Sequence, residues 1–443
     1  MKPLPTRAIQ SVLVWSIIAT FGRMDLTYGQ QSVGLRIQPT NQSSLALSWS
    51  AGSVVPTPGR PVFPSFQVEQ SADLMNWSPV GPVLDGSKQK LAFTVPGDHQ
   101  GSVFYRVRAS IDLSEANLIN ATLDQGDLRF ANLFGADLFG ASLKSINLSN
   151  AIVSGANLEN ADLSESELSG ASFFAADLLG ADLEDTDLVN ADLSFAQLGN
   201  AKMFDADLTG ADLRSAVLSG ADMHLVSLHG TKMDDQTVVD PKWRLVWQIL
   251  NQSAPNRKLH GVDFIGADLR EANLLHADLS SANLQAADLS GADLRQANLA
   301  AATLLFADFK GTLIDSNTII ATKWRLVWEI TNQGAVGRDL HGIDLSSSLT
   351  IGSTLSGADL NHANLTSAVW LNVDLTKANL SHASMSATDL RFTDMSGSDL
   401  SNADLSAADL GHANLTGANT NGMTLTGATF DQTTMPDGSV RNQ

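Results

Sequence analysis

The chain of 443 residues contains no cysteine. This absence excludes a disulfide bond, a cysteine-ligated metal site and a thiol nucleophile. Charged residues are also sparse, at 17%, but hydrophobic residues make up 43%, so the composition is that of a folded chain and not of a disordered one. Basic residues are outnumbered, with 27 Lys and Arg against 47 Asp and Glu. Because this composition offers no extended basic surface, we do not expect direct binding of DNA or RNA.

The acidic residues are concentrated in one part of the chain. Residues 111–235 carry twenty-one acidic and five basic residues, a net charge of −16 out of −20 for the whole chain. Residues 236–341 and 342–443 carry net charges of −1 and −7, and residues 1–110 carry +4. A strongly negative segment of this kind would attract a basic partner surface.

Familiar catalytic and ligand-binding motifs are missing as well. The sequence has no G-x-S-x-G nucleophile elbow, no phosphate-binding loop, no H-E-x-x-H zinc motif and no G-G-x-G-x-D calcium repeat. We therefore predict that the protein is not an enzyme. We assign no catalytic residue, no cofactor-binding residue and no metal ligand, and we expect no cofactor.

The dominant feature of the sequence is a period of five residues. A large apolar residue recurs at every fifth position from Leu113 to Met233, which makes 25 consecutive quintets. The residue two positions earlier is nearly always small, and the residue between them is usually Asp or Asn, as in Ala136-Asp137-Leu138. A period of five fits neither a helix nor a strand, and a short fixed period is typical of a solenoid.

The spacing indicates how the chain must turn. Two residues of each five are apolar and must point inward, so the chain turns a corner after every five residues and closes a four-sided coil after twenty. Successive coils would pair their backbones as parallel strands do, about 4.8 Å apart. Leu would then stack on Leu along the axis, and the small residue would fit the narrow space beside it.

The same period returns twice further along the chain. Eleven quintets run from Phe264 to Ile314, and nineteen positions can be counted from Leu345 to Met435. Three central residues of the last stretch depart from the pattern, and we interpret them as local bulges or distorted coil ends. They are Thr350, Trp370 and Thr420. Together the three stretches make about fourteen coils, or roughly 65 Å at strand spacing.

The A-(D/N)-L-x-x pattern resembles that of the pentapeptide-repeat family. Five central residues of the first stretch depart from Leu: Val153, Phe173, Met203, Met223 and Met233. The resemblance implies an all-β fold, a right-handed quadrilateral β-helix. We expect it in three blocks, which are block 1 (residues 111–235), block 2 (residues 259–315) and block 3 (residues 340–435).

Residues 1–29 read as a secretory signal peptide. Lys2 and Arg7 form a positive start, and the apolar stretch from Ala8 to Phe21 is too short to span a bilayer comfortably. Cleavage is expected near Gly29, which would place the protein in the periplasm or outside the cell. An uncleaved signal anchor is the alternative, and no later segment is long and apolar enough to cross a membrane.

Residues 33–109 follow a different pattern, with short alternating segments that predict strands. These segments are 34–37, 45–49, 66–71 and 103–109. The motifs L-x-L-S-W, F-x-V-E-x-S-x-D-L-x-N-W and F-Y-R-V are similar to those of fibronectin type III-like modules. The resemblance implies a small β-sandwich with Trp49 and Trp77 in its core. Such a module would be a spacer and cap for the solenoid, or alternatively a surface- or carbohydrate-binding module.

The segments between the blocks, residues 236–258 and 316–339, are copies of each other. The motif K-W-R-L-V-W begins at Lys242 in the first segment and at Lys323 in the second. Its apolar residues follow helical spacing, so each segment is predicted to hold one short amphipathic helix. Pro241 suits the first turn of the first helix, and Gly334 is a plausible end of the second.

Four of the eight tryptophans lie in these helical inserts: Trp243, Trp247, Trp324 and Trp328. We predict that they are buried against the solenoid and cover exposed coil edges, which otherwise invite strand pairing. The alternative is a docking surface, since aromatic residues also anchor interfaces. Similar W-R-x-V-W segments recur among long bacterial pentapeptide-repeat proteins, and this resemblance favours the structural role.

Several histidines occupy outward positions, three residues before a central residue. They include His276, His362, His382 and His412. His362 and His382 are twenty residues apart and should lie one coil apart on the same side. A two-histidine metal site is conceivable, but protein zinc sites use three or four ligands, so we expect stacked, solvent-facing side chains.

Two functions are consistent with these features. The first is an exported scaffold that binds another protein or an envelope component, because solenoids offer extended surfaces. The second comes from the family resemblance, since some pentapeptide-repeat proteins resemble a DNA duplex and occupy the DNA site of a topoisomerase. Block 1 would present two acidic lines of that kind. One line is Asp127, Asn147, Glu167, Asp187 and Asp207, and the other is Asp162, Asp182, Lys202 and Asp222. An exported protein would not meet a cytoplasmic topoisomerase, so we favour the scaffold.

Overall fold

The computed structural model describes the side chains of residues 112–252 and 256–442, together with the backbone of eight strands between residues 23 and 110. The chain divides into two compact units, Lys2–Asp240 and Pro241–Gln443. The first unit holds the eight strands and block 1. The second unit holds both helices and blocks 2 and 3.

The strands near the N-terminus form two antiparallel sheets. Their bounds are β1 (Arg23–Tyr28), β2 (Gln31–Asn41), β3 (Ser44–Ser50), β4 (Ser65–Ser71), β5 (Ser78–Pro79), β6 (Leu84–Asp85), β7 (Lys90–Thr94) and β8 (Phe104–Ser110). One sheet has the order β1-β2-β3-β7, and in the other β4 pairs with β5, β6 and β8. The four segments predicted as strands fall in β2, β3, β4 and β8.

Several predictions about this region stay predictions. Trp49 lies in β3, but Trp77 and the apolar stretch from Ala8 to Phe21 lie outside the described residues. Strand β1 falls within the segment predicted to be removed as a signal, so cleavage near Gly29 would separate it from β2, its partner. Of the helices in the described part of the chain, none has the length and apolar character that a bilayer crossing requires.

Block 1 is a stack of twenty-residue coils. The outward residue before each central position pairs in parallel with the residue twenty positions ahead, as Asn117 does with Asp137. The Leu118 N–H donates to the carbonyl of Asp137 at 2.7 Å, and the Asp137 N–H donates to the carbonyl of Ala116 at 2.9 Å. These ladders confirm the repeat and the register expected from the five-residue period, and they define a β-helix.

The interior of block 1 is filled by the two inward residues of each quintet. Leu183 is 1% exposed, and Ala181 and the larger Phe173 are fully buried. Where a polar residue takes the small position, its hydroxyl finds a partner, since Thr186 Oγ1 donates to the carbonyl of Leu183 at 2.7 Å. The interior therefore has no free space for a ligand along this stretch.

Each corner of the coil is a tight turn. The carbonyl of a central residue accepts a hydrogen bond from the N–H three residues later, as Leu113 does from Ala116 at 3.1 Å. At every corner from Glu115 to Gly230 the second turn residue has a positive φ, for example 54° at Asn120. Gly and Asn suit this left-handed conformation, whereas bulky residues adopt it at a cost. Phe195, with a φ of 62°, is such an exception.

Blocks 1 and 2 end in the same way. Val217 pairs with Val238, one position beyond the usual register, so one extra residue enters the last coil. Asp234 Oδ1 accepts hydrogen bonds from the N–H groups of Ser215 at 3.0 Å and Thr237 at 2.8 Å. The backbone hydrogen bond from Ser215 is the largest cause of a pKa of about 2 for Asp234. Block 2 repeats this turn at the equivalent positions, 315–318.

The second unit contains two helices, α1 (Pro241–Asn251) and α2 (Thr322–Gln333). Helix α1 begins at Pro241, as its sequence suggested. Gly334 ends α2 with a φ of 72°, and its N–H donates to the carbonyl of Ile330 at 3.1 Å. The N–H of Phe306 in block 2 donates to the carbonyl of Ser347 in block 3, so the two blocks pair directly although α2 lies between them in the sequence.

Trp370 is accommodated without a bulge, so the sequence-based interpretation of this position is wrong. Strands β9 (Leu349–Ile351) and β10 (Val369–Leu371) pair in regular parallel register, with Trp370 opposite Thr350. Both side chains are buried, and Trp370 Nε1 donates to Ser348 Oγ at 3.0 Å. The small Thr350 in one coil makes room for the large Trp370 in the next.

The C-terminal end of block 3 is covered by a short hairpin. Strand β11 (Thr433–Thr434) pairs in antiparallel fashion with β12 (Val440–Arg441). The guanidinium of Arg441 lies 3.7 Å from the ring centroid of Phe430. Thr420 is half-buried in this final stretch, which agrees with the interpretation of a coil-end position.

Candidate interaction surfaces

The described residues contain no group of three or more His, Asp or Glu side chains placed to hold a metal ion. His276, His362 and His382 are exposed at corners, as expected. The rings of His362 and His382 stack with centroids 4.9 Å apart and planes 14° apart. Nitrogen lone pairs lie in the ring plane, so in two nearly parallel rings they run side by side and do not converge on one ion. His412 likewise stacks on Phe392, at 4.8 Å.

The two acidic lines predicted on block 1 are present as bridged columns. Asp127, Asn147 and Glu167 pair in succession, and the column continues through Asp187 and Asp207. The second column runs through successive bridges: Asp162, Asp182, Lys202 and Asp222. The two columns belong to neighbouring sides of the coil.

The corner between these columns is acidic too. Glu165, for example, lies at the corner between Asp162 and Glu167 in the same coil. Twelve of the block's twenty-one acidic residues belong to the columns and this corner, and together they form the acidic surface. Its members are Asp124, Asp127, Asp162, Glu165, Glu167, Asp182, Glu184, Asp185, Asp187, Asp205, Asp207 and Asp222.

Two lysines lie among these carboxylates, and both are paired. Lys144 Nζ lies 3.1 Å from Glu165, and Lys202 Nζ lies 2.8 Å from Asp182. The hydrogen bond from Lys144 lowers the pKa of Glu165, and the same bond raises the pKa of Lys144. Burial raises the pKa of Asp162, but hydrogen bonds from the Ser164 hydroxyl and N–H lower it further, so its pKa lies below the usual value. These carboxylates are therefore charged at neutral pH.

The next side of block 1 is apolar at both of its edges. Six large side chains along these edges are between 38% and 54% exposed. We call them the apolar face: Ile119, Phe134, Phe139, Phe174, Leu179 and Phe195. One edge is formed by the corners that hold Phe134 and Phe174, which are separated by two coils. The other edge holds Phe139 and Leu179 in the same two coils.

A small notch lies along the first edge. Phe134 and Phe174 lie on either side of the corner at Ser154 and Gly155, where a Cβ added to Gly155 would meet nothing within 4 Å. At the far side of the notch the rings of Phe174 and Phe195 are 5.5 Å apart and tilted by 60°. Two coils at strand spacing leave a gap of about 10 Å, which is enough to receive one side chain.

The charged residues of the apolar face are acidic. Glu115, Asp137, Glu159 and Asp177 lie between or beside the apolar side chains, and no basic residue occurs on this side before Arg214. Glu159 occupies the second edge between Phe139 and Leu179. The face therefore combines exposed apolar groups with negative charge only. A regular five-residue pattern does not reveal this face, which becomes visible only when outward residues are aligned in columns twenty apart.

The tryptophans of the inserts fall into two classes. Trp243 and Trp324, the first of each pair, are buried, whereas Trp247 and Trp328 are half-buried. The prediction that all four are buried is therefore right for the first of each pair and too strong for the second. Each pair behaves alike in the two copies, which favours the structural role.

Helix α2 terminates the edge of block 2 with its side chains. Trp328 Nε1 donates to the carbonyl of Thr312 at 2.7 Å. The Asn332 amide donates to the carbonyl of Phe309 at 2.9 Å and accepts from the N–H of Gly311 at 2.6 Å. In the rest of the coil a following backbone would fill such positions. The helix thus satisfies edge groups that would otherwise be free to pair with another strand.

The two copies also make equivalent bonds to the coil that follows each helix. Lys242 Nζ donates to the carbonyl of Ile265, and Lys323 Nζ donates to Ser346 Oγ. Arg257 donates to the carbonyl of Gln248. Its counterpart in the second copy, Arg338, pairs with Glu329 at the position equivalent to Gln248. The lysine and arginine of each insert hold the helix against the next block.

Comparisons with solved structures return pentapeptide-repeat proteins. HetL, a pentapeptide repeat protein involved in heterocyst differentiation regulation from the cyanobacterium Nostoc sp. strain PCC 7120, is 25% identical over 74% of this chain and 93% of its own, with a TM-score of 0.22. A pentapeptide repeat protein from the Arabidopsis thaliana thylakoid lumen is 29% identical over 24% of this chain and 72% of its own, with a TM-score of 0.22. QnrB1, a plasmid-mediated fluoroquinolone resistance protein, is 14% identical over 70% of this chain and 89% of its own, with a TM-score of 0.16.

Among curated proteins, none matches the chain in sequence. The family model for pentapeptide repeats, which describes eight copies of the repeat, matches overlapping stretches that cover residues 111–235, 258–314 and 339–437. These stretches make up more than half of the chain, and they coincide with the twenty-residue coils. The chain therefore belongs to the pentapeptide-repeat family.

Proposed function

We propose that this protein is a non-enzymatic, exported scaffold that binds another protein or an envelope component through the outer surface of block 1. The observation that carries the proposal is the difference between blocks with the same interior. Block 1 exposes eight large apolar side chains and a net charge of −16, whereas Ile351 is the single exposed large apolar residue of block 3. Since the coil does not require apolar residues outside, their presence on block 1 points to binding.

A scaffold role fits the chemistry of the coils. Their interior is packed with Leu and Ala, and their outward carboxylates are solvated or hydrogen-bonded to neighbouring Ser, Thr and Asn residues. Asp162, for instance, accepts from the Ser164 N–H and hydroxyl. Such carboxylates terminate turns and orient no nucleophile.

Export is the part of the proposal that depends on the N-terminus. The charged start and the apolar stretch from Ala8 to Phe21 support it. N-terminal sequencing of the protein from native cells is the test. We expect a new terminus near Gly29, and recovery of an intact Met1 terminus from the soluble cytoplasmic fraction would contradict export.

Site-specific photocrosslinking in native cells tests the scaffold role. A photoreactive phenylalanine analogue at Phe139 lies on the apolar face, and the same analogue at Phe392 lies on block 3 as a matched control. We expect discrete crosslinked products from position 139 and none from position 392. Absence of products from both positions, with the protein folded and present at normal levels, would contradict the proposal.

A second candidate function is supported by the acidic surface. Its two columns and the corner between them form a negative strip along block 1, which could occupy a basic DNA-binding groove of a topoisomerase. Purified protein would then inhibit supercoiling, and replacing Asp187 and Asp207 with Asn would relieve the inhibition. No inhibition, or equal inhibition by the charge-reduced variant, would reject this candidate.

The N-terminal strands support a further part of the proposal. We take β1 to β8 as a fibronectin type III-like module that spaces and caps the solenoid. Surface or carbohydrate binding by this module is the alternative, and retention of the full chain on insoluble polysaccharide or peptidoglycan would favour it. Failure to be retained on any of these materials would leave the spacer role.

A further inference from the structure

We infer that the apolar face of block 1 binds a basic, amphipathic polypeptide segment, in which apolar side chains alternate with Lys or Arg. This inference rests on the scaffold function proposed above and names the chemistry of its partner. The first observation is the exposure of six large apolar side chains on one side of a few coils, with an open notch at Gly155. A monomeric soluble surface seldom exposes contiguous apolar groups of this kind unless they bind something.

The second observation is the charge between the apolar groups. Asp137 and Asp177 lie in the middle of the face, and Glu115 and Glu159 lie at its two edges. The acidic surface begins on the adjacent side of the coil. A partner that covered the apolar side chains would therefore bury or approach carboxylates, and positive charges placed opposite them would offset the cost.

The same charges argue against other occupants. A second copy of this chain, docked face to face, would bring four carboxylates against four others. An anionic lipid surface would be repelled by block 1, whose net charge is −16. A basic polypeptide is the partner for which the apolar contacts and the charge both contribute.

Three matched synthetic peptides test the inference on the purified full-length protein. One alternates Leu and Lys, one alternates Leu and Glu, and one alternates Ser and Lys. We expect the Leu/Lys peptide to bind, the Leu/Glu peptide not to bind, and the Ser/Lys peptide to bind at least about tenfold more weakly than the Leu/Lys peptide. Equal binding of the Ser/Lys and Leu/Lys peptides would overturn the inference, because charge alone would then suffice.

A variant with a matched control locates the site. Replacing Phe134 and Phe174 with Ser should weaken the Leu/Lys peptide by about tenfold or more, without lowering the melting temperature, because both rings are exposed. Phe204 is 42% exposed at the corner of the acidic surface, so Phe204→Ser removes an equally exposed ring from outside the apolar face. Equal weakening by Phe204→Ser would overturn the inference.

Further outcomes separate the alternatives. A concentration-dependent dimer in sedimentation that disappears in the Phe134/Phe174 variant would identify a second copy as the occupant and reject the basic segment. Stronger binding to vesicles of anionic lipid than to the Leu/Lys peptide would likewise reject it. If all three peptides fail to bind while position 139 still crosslinks in cells, the scaffold function stands and the basic partner is wrong.

Discussion

Blocks 1 and 3 have the same interior and different outer surfaces. Leu183 in block 1 and Leu380 in block 3 are both essentially unexposed, and in both blocks small residues fill the space beside the central ones. On the outside, block 1 is acidic and partly apolar, whereas block 3 is lined mainly by Ser, Thr, Asn and Asp. The comparison teaches that the coil constrains two residues in five and leaves the other three free to specify what the surface binds.

The largest expected effect would break the interior of block 1. Leu183→Asp should unfold at least several coils, because an unpaired buried charge has no compensation there. Leu183→Ala should cost roughly 2–5 kcal/mol of unfolding free energy. Circular dichroism and thermal melting measure both.

An outward position provides the control. Ile152 is 48% exposed on the same block, so Ile152→Asp should leave the fold intact. An unchanged melting temperature for Leu183→Asp, or unfolding by Ile152→Asp, would show that inward and outward residues are assigned wrongly.

The next effect concerns the helices, which occur in two copies. Trp243→Ala and Trp324→Ala should each lower the unfolding free energy by about 3–5 kcal/mol, since both rings are buried. Trp328→Phe keeps an aromatic ring but leaves the Thr312 carbonyl without this partner, so it should cost about 1–3 kcal/mol. Denaturant titration measures each value.

Fluorescence quenching by acrylamide gives an independent check. Variants that keep only Trp243 or only Trp324 of the four should be poorly quenched, and those that keep only Trp247 or Trp328 should be quenched more. Strong quenching of Trp243 and Trp324 would indicate a docking role for the inserts.

A smaller effect sharpens the description of the block 3 interior. Thr350→Leu should overpack the site beside Trp370 and cost about 1–3 kcal/mol. Trp370→Leu should leave a cavity and remove the hydrogen bond to Ser348. The double variant places Leu opposite Leu, as in the rest of the coil, so it should be more stable than the sum of the single changes implies. Additive effects in this double-mutant cycle would mean that the two residues are not coupled.

The smallest effect concerns an outward carboxylate of block 2. Burial, and after it repulsion by Asp288, raises the pKa of Asp308 above its unfolded value. Its contribution to stability is present at low pH and is lost as the pH rises through the folded pKa, so Asp308→Asn should raise the melting temperature at neutral pH but not at acidic pH. Asp278 is the control, because hydrogen bonds from Ser280 lower its pKa and Asp278→Asn should destabilise at neutral pH. The same sign for both variants would contradict the assignment.

Most of the coil could be predicted from the sequence, because its period and its two inward residues are written in every quintet. The left-handed corners could not, since Gly and Asn occupy only some of them and residues such as Phe195 occupy others. The fit of Trp370 beside Thr350 depends on two residues twenty positions apart in neighbouring coils. The apolar face was missed for the same reason, because Phe134 and Phe174 become neighbours only through stacking.

Phe195 belongs both to a left-handed corner and to the apolar face. A bulky residue in that conformation costs about 1–2 kcal/mol relative to glycine, so a chain selected for folding alone would place Gly or Asn there. Phe195→Asn should therefore yield a more heat-resistant protein with a weaker surface for partners. Corners of this kind are places where stability and recognition compete, and a bulky side chain kept at one of them marks where recognition has prevailed.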